Sequence, residues 1–445
     1  MNSVLSAPPS LAAPPSRSFV ALAAGSAVVA LVLLVRLAVF AGHPEPPPAW
    51  SVAPWSPWLT RHACSTAYWE AATRITESPD VWDNRGYVLG QDPTTGRPIL
   101  RTIGKFVADP YEYPPTFLLA PRALAVVAPD YVTFRHVWLI LNAVLVVAGM
   151  ALVGRQLDAT TGRRTLWLLP LAIVPLTTMF ALQMGNAQLI SIVVAMVALL
   201  AFARGHHAIG GLLLACAVAG KIFPAVLLVY LALRGNWRAV GWTAAWMSVL
   251  VIVTIADVGW APFPFFLDHL PRLVSGEAFP QLRQAVITVN NLSIPGLVLK
   301  LHAWGGPQVP FEAIKYAGWL YTVVLLGAVA WLARRPVAPR YEPLAWLAVL
   351  GLAALRSPFL PMYGAFPGAW LGAILLALCW HEARRWWIVL GLWAMLLPSV
   401  AGPAPLPLWA IATFTTLQAA AVLGLIAIAI RVGRDAVEAT PAAAS

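Results

Sequence analysis

Carboxylates are scarce in this chain, and two of them lie in one polar stretch that leads into apolar sequence. Asp109 and Glu112 fall in GKFVADPYEYPPTFLLAPR, residues Gly104 to Arg122, where a double proline favours an extended segment and then a helix start. A carboxylate beside a membrane is partly desolvated, which suits it to accept a proton from a substrate hydroxyl. Asp109 is therefore the first candidate for a catalytic base, Glu70 the second and Glu112 the third. The alternative for each is a carboxylate that only solvates its loop.

Lys221 is an ionisable residue inside the apolar run Ala208 to Leu233. Gly220 precedes it and Pro224 follows it, so we expect a helix that is broken inside the membrane. Because a buried charge in a membrane is costly, such a residue usually has an anionic partner, here a lipid phosphate. The alternative is a lysine that extends to the membrane surface.

Five further residues are candidates for substrate binding. Asn186 and Gln188, in a turn between two apolar runs, carry amides that suit sugar hydroxyls, although such residues also cap helices. Arg356, at the outer end of a predicted span, can bind a phosphate through two parallel hydrogen bonds (bidentate binding) or pair with a loop carboxylate. Tyr113 and Asn291 lie in the two predicted outer loops. No spacing of histidines and carboxylates indicates a metal site, and we expect no cofactor.

The composition is that of a polytopic membrane protein. Of 445 residues, 60% are hydrophobic and only 11% are charged. The net charge of +11 comes from lysines and arginines between apolar runs, as the positive-inside rule expects, and does not indicate nucleic-acid binding. Three dispersed cysteines do not suggest a disulfide framework.

The order of apolar runs predicts an all-α polytopic protein with about 10 to 12 transmembrane helices. Residues 17–434 form the predicted membrane domain, with large outer, periplasmic loops over 42–113 and 259–310. The tails 1–16 and 435–445 are predicted to be disordered, and both termini to be cytoplasmic. Thr116 to Ala128 is too short to span, and His62 to Ile75 reads as an amphipathic helix on the bilayer surface.

Three stretches resemble glycosyltransferase family 87, membrane enzymes of the GT-C fold that use polyprenyl-phosphate mannose. They are YWEAATRI with DPYEYPPTFLLAPRAL; MGNAQLISIVVAMVALLAFARGHHAIGGLLLACAVAGKIFPAVLLVYLALRGNWR; and NNLSIPGL with RSPFLPMYG. The middle stretch is the most specific, because its G-N-x-Q turn, small-residue helix and lysine follow one another in family order.

The resemblance implies an inverting mannosyltransferase of the cell (inner, cytoplasmic) membrane, with its active site facing the periplasm or the cell exterior. Its partners would be a polyprenyl-phosphate sugar donor, a lipid or glycan acceptor and membrane lipids. An outer-loop carboxylate would activate the acceptor hydroxyl.

Two positions depart from the family pattern. Cys64 stands four residues before Tyr68, where the family usually has an aspartate, and Tyr363 lies near the place of a family histidine. A thiol cannot replace a carboxylate base, so either Asp109, Glu70 or Glu112 has that role or the protein is a non-catalytic relative. A transporter or flippase of lipid-linked sugars is the other alternative, but a transporter does not need the large acidic first loop.

Overall fold

The computed structural model describes residues 16–91, 98–398 and 406–438, and the regular structure in these ranges is almost entirely helical. This confirms the predicted all-α class. In chain order the α-helices are α1 (Arg17–Gly42), α2 (Pro57–Arg61), α3 (Ser65–Arg74), α4 (Leu119–Val127), α5 (Tyr131–Gly154), α6 (Ala159–Leu168), α7 (Pro170–Ile173), α8 (Leu176–Met184), α9 (Gln188–Ala203), α10 (His207–Gly220), α11 (Val226–Leu233), α12 (Trp237–Val258), α13 (Pro262–Ser275), α14 (Ala285–Val289), α15 (Leu297–Lys300), α16 (Ala313–Arg334), α17 (Glu342–Ala354), α18 (Phe366–Leu378), α19 (Ala383–Ala394) and α20 (Leu408–Glu438). Short 3₁₀ segments are Pro48–Trp50, Asn84–Tyr87, Pro115–Leu118, Phe223–Ala225, Pro280–Arg283, Leu301–Trp304, Pro339–Tyr341 and Met362–Ala365.

Several of these helices are long and apolar enough to cross a membrane. Among the described residues there are five, α1, α5, α12, α16 and α20, and α8 with α9 makes a sixth if the pair, bent by 105°, is one broken span. Four shorter apolar segments are Pro115–Val127, His207–Gly220, Phe223–Leu233 and Met362–Leu378. The chain is a multi-pass membrane protein. Within the described residues, however, the helices long enough to cross a membrane are fewer than the predicted total of about 10 to 12.

Proline breaks runs that the sequence suggested to be single spans. The run 165–183 falls into parts of α6, α7 and α8, with interruptions at Pro170 and Pro175. Proline has no N–H to donate and its ring collides with the preceding turn, so a helix ends or kinks there. Lys221 is extended, with φ −154° and ψ 136°, between α10 and a 3₁₀ turn. The predicted break at Lys221 is thus confirmed.

The first large loop folds against the membrane helices instead of extending into solvent. It contains two antiparallel hairpins, β1 (Val88–Gln91) with β2 (Pro98–Leu100) and β3 (Thr102–Ile103) with β4 (Phe106–Val107). The prediction that its helix lies on the bilayer surface is wrong. Seven of the ten residues of α3 are buried, and Tyr68 and Trp69 pack their rings against aromatic rings of α5.

Two buried polar side chains hold this loop to the helices beneath it. Arg135 of α5 donates hydrogen bonds of 2.8–3.1 Å to the carbonyls of Phe40, Ala41 and His43. Gln183 of α8 accepts from the N–H of Val52 at 2.8 Å and donates to the carbonyl of Leu59 at 2.8 Å. Buried polar groups need such partners, so the loop and the membrane helices depend on one another for stability.

The second large loop contacts the first. His269 of α13 is 2.5 Å from Glu112, and the ring of Phe266 lies 5.6 Å from that of Trp82. The two large loops are therefore in contact with each other, and their location on one side of the membrane stays a prediction.

The tails predicted over 1–16 and 435–445 lie outside the described residues except at their inner ends. There Ser16 caps α1 by accepting a hydrogen bond from the N–H of Phe19, and α20 continues to Glu438.

Candidate functional site

Polar side chains from both large loops and from two helix breaks converge around Cys64. We call this group the Cys64 cluster; it comprises His62, Cys64, Tyr68, Asp109, Glu112, Tyr113, Asn186, Lys221, His269 and Tyr363. The structure therefore brings together five of the predicted site residues: Asp109, Glu112, Tyr113, Asn186 and Lys221.

Backbone pairing places His62 and Asp109 side by side. His62 follows the end of α2 and forms an isolated parallel bridge with Val107, the last residue of β4. Asp109 comes two residues later, and its N–H donates to Thr66 Oγ1 at 2.9 Å. As a result His62 Nδ1 lies 3.1 Å from Asp109 Oδ1, with the side chains 17% and 19% exposed.

The charge of Asp109 controls the protonation of His62. Burial alone would lower the pKa of this histidine, but the neighbouring carboxylate and the hydrogen bonds to Asp109 and Cys64 outweigh it and raise the pKa to about 10. At neutral pH the two side chains therefore form an ion pair. Trp58 stacks on the imidazole, with ring centroids 4.2 Å apart, and fixes its plane.

The turn between α8 and α9 supplies the amide of the cluster. Gly185 adopts a left-handed conformation, φ 68°, which ends α8, and Asn186 Oδ1 accepts from the N–H of Gln188 at 2.9 Å and begins α9. The amide nitrogen of Asn186 donates to Cys64 Sγ at 3.3 Å. The Tyr363 side chain lies next to that of Asn186, so Tyr363 does lie at the site.

Two tyrosines connect this turn to Lys221. The hydroxyls of Tyr68 and Tyr113 are 2.8 Å apart, and Tyr68 accepts from the N–H of Ala187 at 3.0 Å. The ammonium group of Lys221 lies 4.3 Å from the centroid of the Tyr113 ring, a cation–π distance. Lys221 is half-buried in the protein, and its ammonium group faces this cluster.

Glu112 forms a second carboxylate–histidine pair. Its side chain is 13% exposed and that of His269 is 5% exposed. Burial raises the pKa of Glu112, although the hydrogen bond to His269 and the charges of His269 and Lys221 partly oppose this effect. Glu112 is thus a carboxylate that is hydrogen-bonded to a histidine of the other loop.

Glu70 is not part of the cluster. Its side chain is 4% exposed and forms ion pairs with Arg74 at 2.7 Å and Arg101 at 3.0 Å. It lines a different, polar cavity of about 160 Å³ with Arg74, Tyr87 and residues 78–83. Because its side chain lies outside the Cys64 cluster and is engaged by two guanidinium groups, Glu70 is a weaker candidate than Asp109.

Two predicted binding residues, Asn291 and Arg356, have side-chain partners within the protein, whereas the amide nitrogen of a third, Gln188, is unpaired in the described part of the chain. Asn291 donates to the carbonyl of Pro358 at 2.7 Å and accepts from the N–H of Leu360 at 2.9 Å. These bonds fix the turn that begins at Ser357 and Pro358. Arg356 donates to Thr322 Oγ1 at 3.0 Å and to a carbonyl of α13. Gln188 is buried beside the cluster, and its amide nitrogen has no hydrogen-bond partner among the described residues.

The sequence was also compared with known protein families. A family model for glycosyltransferase family 87 matches residues 111–360, which is more than half of the chain. The chain belongs to glycosyltransferase family 87. The family indicates a membrane glycosyltransferase, and no curated protein and no solved structure gives a significant match.

The matched region contains only part of the Cys64 cluster of this family 87 glycosyltransferase. Glu112, Tyr113, Asn186, Lys221 and His269 lie within the matched region, whereas residues 62, 64 and 109 precede it. Neither His62 nor His269 was predicted to be the partner of a carboxylate. His269 stands next to Asp268 in the second predicted loop, which marks it as a polar residue of that loop. Nothing in the sequence linked it to Glu112, which is 157 positions away.

Proposed function

We propose that this family 87 glycosyltransferase transfers a hexose, mannose by the family resemblance, from a polyprenyl-phosphate donor. The acceptor is a lipid or glycan on the outer face of the cell membrane. The observation that supports this proposal most is the Cys64 cluster, in which a lysine at a broken helix, sugar-binding side chains and two carboxylate–histidine pairs meet between the two large loops.

Lys221 is the proposed partner of the donor phosphate. It lies at a break between short apolar helices, where a lipid chain can run along the helices while the headgroup reaches the cluster. A positive charge at that point stabilises the phosphate that leaves as the sugar–phosphate bond breaks. Tyr113 and Asn186, with Gln188 beside them, are the proposed partners of sugar hydroxyls.

Asp109 is the proposed base. In an inverting transfer the acceptor oxygen forms a bond to C1 of the sugar while the bond from C1 to the phosphate oxygen breaks and its electron pair leaves with the phosphate. The acceptor proton passes to the base, which must lie within hydrogen-bond reach. Asp109 contacts His62 through Oδ1, and its side chain is 19% exposed, so an acceptor hydroxyl can reach the carboxylate.

Glu112 is the second candidate for the base because it lies near Lys221 and its pKa is raised. Its pairing with His269 also suits a different role, which is to hold the two loops together over the bound substrate. Substitution of each carboxylate separates these roles.

A donor-exchange assay tests the proposed function. The purified protein, in liposomes that contain extracted membrane lipids as acceptors, is given radiolabelled polyprenyl-phosphate mannose or, in parallel, a labelled nucleotide sugar. We expect label to enter the lipid or glycan fraction from the polyprenyl-phosphate donor alone, with the configuration at C1 inverted. Transfer from the nucleotide sugar in the absence of any lipid-linked donor would overturn the proposal.

A further inference from the structure

His62, Cys64 and Asp109 place three different metal-ligand groups at one point. Cys64 Sγ lies 3.8 Å from His62 Nε2, and His62 Nδ1 lies 3.1 Å from Asp109 Oδ1. One ligand atom from each residue lies within 4.8 Å of the other two. We propose that these three side chains form a binding site for a thiophilic divalent cation of the zinc class.

The separations fit such an ion with little movement. Zinc binds sulfur at about 2.3 Å and nitrogen or oxygen at about 2.0–2.2 Å in tetrahedral geometry, so its ligand atoms lie roughly 3.5 Å apart. An ion can bind only one nitrogen of His62, and the three ligand atoms, which lie within 4.8 Å of one another, need to close by up to about 1.3 Å to reach this geometry. Rotations about the side-chain bonds can provide this movement.

The ligand types select the kind of metal. A thiolate with an imidazole favours zinc and its neighbours in the transition series, whereas magnesium and calcium prefer sites made only of oxygen. Three protein ligands leave the fourth tetrahedral position open, the arrangement that is typical of zinc sites with an exchangeable ligand. Cys64 determines which metal is preferred, because an aspartate at its position would replace the sulfur ligand by an oxygen ligand of the kind that magnesium and calcium prefer.

The surrounding side chains hold the three ligands in place. Asn186 donates to Cys64 Sγ at 3.3 Å, Trp58 stacks on the His62 ring and Thr66 accepts from the N–H of Asp109. Such outer contacts orient metal ligands and raise affinity. Cys64 is 7% exposed, but the side chains of His62 and Asp109 are 17% and 19% exposed, so a cation can reach the site from the aqueous side.

Cobalt(II) chloride is the probe that tests the site directly. We expect the full-length protein in detergent to bind one equivalent of cobalt tightly and to develop a thiolate-to-cobalt charge-transfer band in the near ultraviolet. Zinc chloride should displace the cobalt and abolish the band. Cys64→Ser should remove the band, and His62→Gln should weaken binding by at least about 10-fold, since even the loss of an outer contact costs that much.

Cys216→Ser is the matched control, because Cys216 is exposed and lies outside the cluster. This variant should keep the band. No band in the wild-type protein, or a band that survives Cys64→Ser and disappears in Cys216→Ser, would overturn the proposal. Circular dichroism on each variant shows whether a lost band reflects lost folding.

The effect of zinc on transfer rests on the proposed function. While Asp109 serves as a metal ligand it cannot accept a proton, so we expect zinc to slow transfer in the wild-type protein but not in Cys64→Ser. If cobalt binds as described and zinc leaves transfer unchanged, the metal site stands and the role of Asp109 as base fails.

Discussion

Lys221 shows at the level of one residue how membrane burial and chemistry are linked. The apolar sequence around it predicted an intramembrane charge, and the structure places its ammonium group over the Tyr113 ring in the Cys64 cluster. A lysine that only extended to the membrane surface would not need this contact with a protein side chain. The residue is therefore suited to recognise a negatively charged headgroup.

Lys221→Met tests this role, because methionine keeps most of the side-chain length and removes the charge. We expect the KM for a polyprenyl-phosphate donor to rise and kcat to fall, for a combined loss of about 10²-fold or more in kcat/KM. The melting temperature in detergent should change little. Lys221→Arg, which keeps the charge, serves as the control and should retain part of the activity; equal turnover in Lys221→Met and the wild type would contradict the role.

Lys300 is a residue that sequence reasoning passed over. It is fully buried in the second loop, and its ammonium group donates to Thr415 Oγ1 of α20 at 2.7 Å. Burial lowers its pKa from 10.5 to about 7. The folded protein therefore loses this proton at a lower pH than the unfolded chain, so stability rises as the pH increases from about 7 to about 10.5.

Lys300→Met should remove that rise and should stabilise the protein at and below pH 7, where the buried charge is costly. Melting temperatures of both proteins across pH 6–10 in one detergent provide the test. A wild-type melting temperature that falls relative to Lys300→Met as the pH increases from 7 would show that the lysine is stabilised by its charge.

At the scale of elements, the sequence predicted the breaks better than the spans. It located the turn at Asn186 and the break at Lys221, because glycine, proline and a charge interrupt apolar runs there. It did not predict that 165–183 forms several short helices. Hydropathy measures whether a segment is apolar, and a short helix buried among other helices is as apolar as one that crosses the bilayer.

Gly185 is the residue on which the bend between α8 and α9 depends. Its φ of 68° is left-handed, and an added Cβ would lie 2.9 Å from Trp138 Cδ1 and 3.2 Å from the Ser65 side chain. The strain of a left-handed alanine alone costs about 1–2 kcal/mol. We expect Gly185→Ala to lower the melting temperature by more than this strain accounts for and to reduce transfer, because Asn186 and Ser65 adjoin the site.

Gly205→Ala is the matched control for this prediction. Gly205 is also left-handed, with φ 81°, but nothing lies within 4 Å of the position of an added Cβ. Thermal melting of the two variants therefore separates backbone strain from the collision. Equal destabilisation by both substitutions would show that the packing at Gly185 adjusts without cost.

Long-range pairing limited what could be predicted of the site. Asp109, Glu112, Tyr113 and Asn186 were chosen by residue type and by their position near the ends of apolar runs, and Lys221 because it lies inside one. The structure brings all five together. The histidine partners of the carboxylates were not found, since a pair such as His269 and Glu112 forms only when two loops fold against each other. Arg356 and Asn291 had suitable chemistry, but their hydrogen bonds lie within the protein.

For the whole molecule, the account requires both large loops on one side of the membrane and the basic connections on the other. We expect Leu89→Cys, 66% exposed in the first loop, to react with a membrane-impermeant maleimide in intact cells. His206→Cys, in the exposed connection before α10, should react only after permeabilisation. Both substitutions are made in a Cys216→Ser background, because that cysteine is exposed. Labelling of both positions from the same side would contradict the topology.

The central claim is that Asp109 in the Cys64 cluster is the base of a sugar transfer from a lipid-linked donor. Its most direct test is the rate of transfer from polyprenyl-phosphate mannose by Asp109→Asn, which is nearly isosteric, with Glu70→Gln compared in the same membranes. The account predicts that Asp109→Asn loses on the order of 10² to 10⁴ in rate with donor binding intact, while Glu70→Gln retains most of its activity wherever it folds. Near-full activity in Asp109→Asn, with activity lost in folded Glu70→Gln, would contradict it.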